Sequence, residues 1–153
     1  MPKITPFLMF SDQAGHAMEF YASIFPNSKI VSTMPAPDGS IAGGSFELDG
    51  EKFNCYNAGE HPDFVFSHGV SFMIAAETQD EVDHYYEKLS EGGEQLDCGW
   101  LRDKFGVSWQ VTPPILMQLL SDPDREKAGR VTEAMFKMTK LIIADLEAAA
   151  NGE

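Results

Sequence analysis

Residues 70–93, VSFMIAAETQDEVDHYYEKLSEGG, decide the fold. Val70 to Ala75 reads as a buried strand, and Thr78-Gln79-Asp80-Glu81 is a capping box opening a helix with Val82, Tyr85, Tyr86 and Leu89 on one side. Gly92-Gly93 stops that helix. Short extended segments at Glu94 to Cys98 and Gly99 to Arg102 come next, then a turn at Asp103 to Gly106 and a strand from Val107 to Thr112. The order is βαβββ.

The same order stands upstream. Lys3 to Phe10 predicts a fully buried first strand, with Thr5, Phe7 and Met9 on one face and Ile4, Leu8 and Phe10 on the other. Asp12 is placed to cap a helix whose apolar positions Ala14, Ala17, Met18, Tyr21, Ile24 and Phe25 recur at helical spacing, and Pro26-Asn27-Ser28 ends it. Strands follow at Lys29 to Met34, Ile41 to Leu48 and Lys52 to Asn57, the last two joined by Asp49-Gly50, a pair suited to a tight hairpin. The halves share few letters, so the repeat rests on element order. The expectation is an α+β chain: paired modules at about 3–58 and 69–113 form a curved, mostly antiparallel sheet within a domain over 1–113. Residues 114–153 form a helical tail packed on that domain or on a dimer partner. In the tail, Ser121 or Asp122 would cap a helix starting at Pro123, with Val131, Ala134, Met135, Met138 and Ile142 as its apolar stripe.

With 153 residues, 43% of them hydrophobic, the chain can bury one substantial core. Its formal charge is −13, and neither the stretch to Leu120 (6 basic, 17 acidic) nor the rest (5 and 7) is locally positive, which argues against nucleic acid or an anionic membrane as partner. Cys55 and Cys98 are too few for a disulfide framework and lack zinc-like spacing, so a reducing compartment is expected. The apolar run Ile4 to Phe10 is shorter than a signal-peptide core or a membrane span, and a cytoplasmic protein is expected.

Two βαβββ modules in one chain resemble the vicinal-oxygen-chelate superfamily, which includes glyoxalase I, bleomycin-resistance proteins, fosfomycin-resistance enzymes and extradiol dioxygenases. Ile4-Thr5-Pro6-Phe7-Leu8-Met9-Phe10, Ala17-Met18-Glu19-Phe20-Tyr21 and Ile24-Phe25-Pro26-Asn27-Ser28-Lys29-Ile30 are similar to its PhnB-like branch. So are Phe46-Glu47-Leu48-Asp49-Gly50, Gly99-Trp100-Leu101 with Asp103, and Gly106-Val107-Ser108-Trp109-Gln110-Val111. The resemblance runs from about Ile4 to about Leu146. Members of that branch often carry the label 3-demethylubiquinone-9 3-methyltransferase. Methyl transfer from S-adenosylmethionine normally uses a glycine-rich strand-to-helix turn, whereas Gly39, Gly43-Gly44 and Gly92-Gly93 fall in hairpins and a helix stop, so that activity is not expected.

The resemblance also implies where a metal would sit: in metal-dependent relatives two histidines and a glutamate on the first, fifth and eighth strands bind a divalent ion. The matching positions here are Thr5, Ser71 or its neighbour, and Gln110, none a usual catalytic ligand, so no cofactor is expected. His16 and His84 fall on helices and His61 in a loop, while His68, just before the fifth strand, is the histidine that a one-residue register change could bring in. Strand alternation places Thr5, Phe7, Ser71, Met73, Ser108 and Gln110 toward one cavity, apolar with a few neutral hydrogen-bonding groups; the alternative is a solid core. Trp100 would stack on a ligand at the cavity mouth or cover a dimer contact, and Asn57 would touch ligand or shape a turn. Trp109 and the Tyr85-Tyr86 pair should be packing residues, Asp103 a turn former, and the cysteines buried thiols. The expected function is small-molecule binding in a metal-independent pocket of a homodimer. The alternatives are a metal-dependent lyase, isomerase or transferase of the glyoxalase type, and sequestration of a toxic compound as in bleomycin resistance.

Overall fold

The computed structural model describes residues 3–153, and the chain divides into two compact units, Met1–Val65 and Phe66–Glu153. Each holds a four-stranded mixed sheet, and with five helices among the described residues the class is α+β. The described residues contain no helix long and apolar enough to cross a membrane.

In the first unit the strands β1 (Phe7–Phe10), β2 (Lys29–Pro35), β3 (Ile41–Leu48) and β4 (Glu51–Asn57) lie in the order β1-β4-β3-β2, with β1 and β4 parallel and the other pairs antiparallel. Asp49 (φ 49°) and Gly50 (φ 85°) both take left-handed backbone, the requirement of the tight hairpin turn that this pair predicts. Helix α1 (Ala14–Ile24) buries Ala14, Ala17, Met18, Tyr21 and Ile24 on one side of the sheet. There the Phe46 ring stacks between Tyr21 and Phe53, at centroid distances of 6.1 and 5.2 Å. The first strand is shorter than expected and not fully buried: Ile4 is wholly exposed and Phe7 54% exposed, because only Leu8 and Phe10 face the helix.

In the second unit β5 (Phe72–Ala75), β6 (Glu94–Gln95), β7 (Trp100–Arg102) and β8 (Ser108–Thr112) take the order β5-β8-β7-β6, again with one parallel pair, β5 with β8. Helix α2 (Gln79–Ser90) begins as its capping box predicts: the Thr78 hydroxyl accepts from the Glu81 N–H at 3.1 Å. The Glu81 carboxylate reaches one residue further back than the motif implies and accepts from the Glu77 N–H. Val82, Tyr86 and Leu89 pack on the sheet side carrying Leu101, Trp109 and Val111. The segment expected as a buried strand from Val70 is half exposed, with Val70 at 73% and Met73 at 53%, and its strand begins only at Phe72. The two short extended segments expected at Glu94 to Cys98 and Gly99 to Arg102 are shorter still, because a 3-10 turn at Asp97–Gly99, where Cys98 is left-handed, lies between them. Gly93 must lack a side chain, since a Cβ there would strike the Arg102 carbonyl.

The tail contains three helices rather than one, α3 (Pro114–Leu120), α4 (Arg125–Phe136) and α5 (Ile143–Ala150). Pro114 occupies the first turn of α3, where its missing N–H costs nothing. Asp124 caps α4, in place of Ser121 or Asp122, accepting from the N–H groups of Glu126 and Lys127 at 3.1 and 3.2 Å. Leu116, Val131, Leu141, Leu146 and Ala150 form the tail's core. Gln79 ties it to α2: its amide donates to the Leu141 carbonyl, and its oxygen accepts from the Ile143 N–H at 2.8 Å. Lys140 reaches Asp83 at 2.9 Å and holds that carboxyl below its usual range.

Candidate functional site

The side of the second sheet turned away from α2 carries most of the unit's chemistry. In the pairing of β7 with β8, Trp100 lies opposite Gln110 and Arg102 opposite Ser108; on the other flank Met73 lies opposite Gln110. Alternation therefore puts Met73, Trp100, Arg102, Ser108 and Gln110 on one face, and Phe72, Leu101, Trp109 and Val111 on the other.

His68 joins this face from the loop before β5. Its Nδ1 lies 2.7 Å from the Ser108 hydroxyl and its Nε2 2.9 Å from Arg102 Nη2. A guanidinium can only donate, so Nε2 accepts, Nδ1 carries the ring proton, and that N–H donates to Ser108. The orientation is wrong for a serine nucleophile, because the nitrogen beside the hydroxyl has no lone pair to take its proton. Ser108, 1% exposed, instead fixes the ring, and the ring fixes Arg102. Arg102 also pairs with Glu94 at 3.5 Å, and the His68 ring meets Trp100 edge-on at 5.8 Å and 89°. Next along β8, the Gln110 amide donates to the Ser71 hydroxyl at 2.9 Å.

Three features hold the strands that carry these groups. Asp103, 2% exposed, accepts from the N–H groups of Phe105 and Val107 through Oδ1 and from the Trp109 indole through Oδ2, at 2.9, 3.0 and 2.9 Å. Sequence alone marks Asp103 as a turn former and Trp109 as packing; the bond joining them locks the β7–β8 hairpin. The Tyr86 hydroxyl lies 2.7 Å from the Leu96 carbonyl and 3.2 Å from that of Trp100, and burial pushes its phenol up to about 12. From the tail, the carbonyls of Met138 and Thr139 accept the N–H groups of Cys98 and Gly99, immediately before Trp100.

Of the residues singled out from sequence, Ser71, Met73, Trp100, Ser108 and Gln110 fall together in this unit. Thr5, Phe7 and Asn57 belong to the first unit. Phe7 lies in the row with Asn54 and Ser45 on the side of that sheet away from α1, where the Ser45 hydroxyl donates to the Asn54 side chain at 2.7 Å. Asn57 is on the opposite side, paired with Phe10; its Oδ1 accepts the Ala14 N–H at 2.9 Å and its amide donates to the Ile41 carbonyl. That bond caps α1, the duty expected of Asp12. Cys55 is buried and its thiol is pushed up to about 11 by burial. His68 and Arg102 are the members that sequence reasoning did not assemble.

As a donor set for a divalent ion, Thr5, Ser71 and Gln110 fit poorly: they offer neutral hydroxyls and an amide, and Ser71 and Gln110 are bonded to one another. The His68 lone pair is turned on Arg102, and among the described residues no three His, Cys, Asp or Glu side chains converge.

The chain's residues 2–112 match the family model described as 3-demethylubiquinone-9 3-methyltransferase, and the tail lies outside that match, which stops well short of Leu146. Among solved structures, the PhnB protein from Bacillus cereus, described as a 3-demethylubiquinone-9 3-methyltransferase, is similar at 36% identity and a TM-score of 0.68, over 73% of this chain and 99% of that one. Protein PA1353 from Pseudomonas aeruginosa shares the fold at 20% identity and a TM-score of 0.58, covering 74% of this chain and 98% of its own. So does FosX, a fosfomycin resistance protein from Listeria monocytogenes complexed with Mn(II) and sulfate, at 18% identity and 0.55, covering 78% and 98%. Nothing among the curated proteins matches. The chain belongs to the 3-demethylubiquinone-9 3-methyltransferase family, the PhnB-like branch of the vicinal-oxygen-chelate superfamily.

Proposed function

We propose that this chain binds a small molecule on the second-unit face formed by His68, Met73, Trp100, Arg102 and Gln110, without a metal. The observation that carries this reading is the row His68–Ser108–Arg102, whose groups are held in place by one another beside a half-buried indole and an exposed thioether. Fixed polar groups flanked by apolar surface are what orients a ligand. The donors that metal chemistry would need are committed elsewhere, so the enzymatic alternative of the glyoxalase type receives less support. A homodimer is part of the same reading, supported by the apolar side chains Phe7, Met34 and Tyr56, each more than 40% exposed on the first sheet.

The test is elemental analysis of protein purified without added metal, with thermal-shift measurements against manganese, nickel, zinc and iron(II), and a hydrophobic ligand library screened with and without EDTA. Ligand-induced shifts that survive EDTA are expected. A stoichiometric ion, or binding that EDTA abolishes and manganese restores, overturns metal independence.

A further inference from the structure

Arg102 decides the ligand's charge. It is the cation on the face just described, its side chain 40% exposed, held by the His68 ring at 2.9 Å. A guanidinium has five N–H donors; His68 takes one and Glu94, at 3.5 Å, draws on another, leaving the rest without a partner among the described residues. The Glu94 pair is solvent-screened, its carboxylate 60% exposed, and is weak competition for an incoming anion. A planar fork oriented by a histidine favours a planar carboxylate. One cation, with Glu94 beside it and a chain charge of −13, disfavours a second negative charge on the ligand.

The apolar half sits at a fixed spacing. Trp100 and Arg102 are alternate residues of one strand and project from the same side about 7 Å apart, with Met73, 53% exposed, in the Trp100 row. We infer that the ligand is an aryl or arylalkyl monocarboxylate, its ring on Trp100 and Met73 and its carboxylate on Arg102. This rests on the proposal that the face is the binding site, and the experiment separates the two.

Phenylacetate, phenylacetamide and phenyl phosphate are titrated separately into the 15N-labelled full chain, following the Trp100 indole N–H. Phenylacetate is expected to move that signal with an affinity at least about tenfold above phenylacetamide, a preference that shrinks as sodium chloride is raised from low to high concentration. In Arg102→Gln the acid should lose its preference, the two binding within about threefold of each other. The salt series on the unmodified chain keeps the test valid if that variant folds poorly. Equal binding of the amide and the acid, or tighter binding of phenyl phosphate, overturns the monocarboxylate assignment and leaves the site standing. No movement of Trp100 with any of the three overturns both.

Discussion

Replacing Asp103 tests how the binding face is held. Its carboxylate accepts three hydrogen bonds, two of them from the buried donors Val107 N–H and Trp109 Nε1–H. In Asp103→Asn the remaining oxygen can keep the two backbone donors, but the new NH2 group then faces the indole N–H, donor against donor. The loss is one charge-assisted bond plus a buried unsatisfied donor, about 2–3 kcal/mol. Asp103→Ala strands all three donors and should cost about 3–5 kcal/mol. Both tryptophans, Trp100 and Trp109, lie in the second unit, so their fluorescence during urea unfolding reports on it directly. A double-mutant cycle completes the measurement: in a Trp109→Phe background the Asn substitution should cost about 1 kcal/mol or less, because the donor it offends is gone. An Asp103→Asn midpoint within about 0.5 kcal/mol of the parent, or the same cost in both backgrounds, would refute the proposed locking of the hairpin.

Three further predictions concern titration, thiol reactivity and the tail. Cys55 and Tyr86 are held at about 11 and about 12, above their ordinary 9.0 and 10.0, so the unfolded chain loses these protons first; the stability they contribute is complete below about pH 9 and is lost as pH rises toward 12. Urea midpoints at pH 8, 9.5 and 10.5 should decline in that order, and a flat series contradicts the assignment. At pH 8 Cys55 should react with a disulfide reagent at least about 100-fold more slowly than an ordinary thiol, until urea exposes it. Gln79→Ala removes the amide bridge between α2 and α5 and should cost about 1–3 kcal/mol, with hydrogen exchange accelerating at the Ile143 amide. Unchanged protection there would show that the Gln79 bridge does not hold the tail in place.

Local signals carried far in this sequence. The Asp49-Gly50 hairpin, the Thr78 cap and the inward Trp109 each follow from a few adjacent residues, and the structure places them accordingly. The misreadings concern long-range partners. Asn57 takes over the capping of α1 from 43 residues away, which no local pattern announces. The tail's first helix is expected at Pro123, yet Pro114 opens one earlier, since a proline in the first turn starts a helix readily. His68 and Arg102, 34 positions apart, meet only in the folded chain, where the loop before β5 brings the imidazole within 2.9 Å of the guanidinium. Sequence spacing locates the strands of the face but not the loop residue that organises its charge.

The hydrogen bonds from Cys98 and Gly99 into Met138 and Thr139 bear on where this protein could be cut. A fragment trimmed at residue 112, the edge of the family match, would keep every strand of both sheets. It would also surrender the acceptors for two amides adjoining Trp100, so the shortened piece would be a different receptor rather than a minimal one.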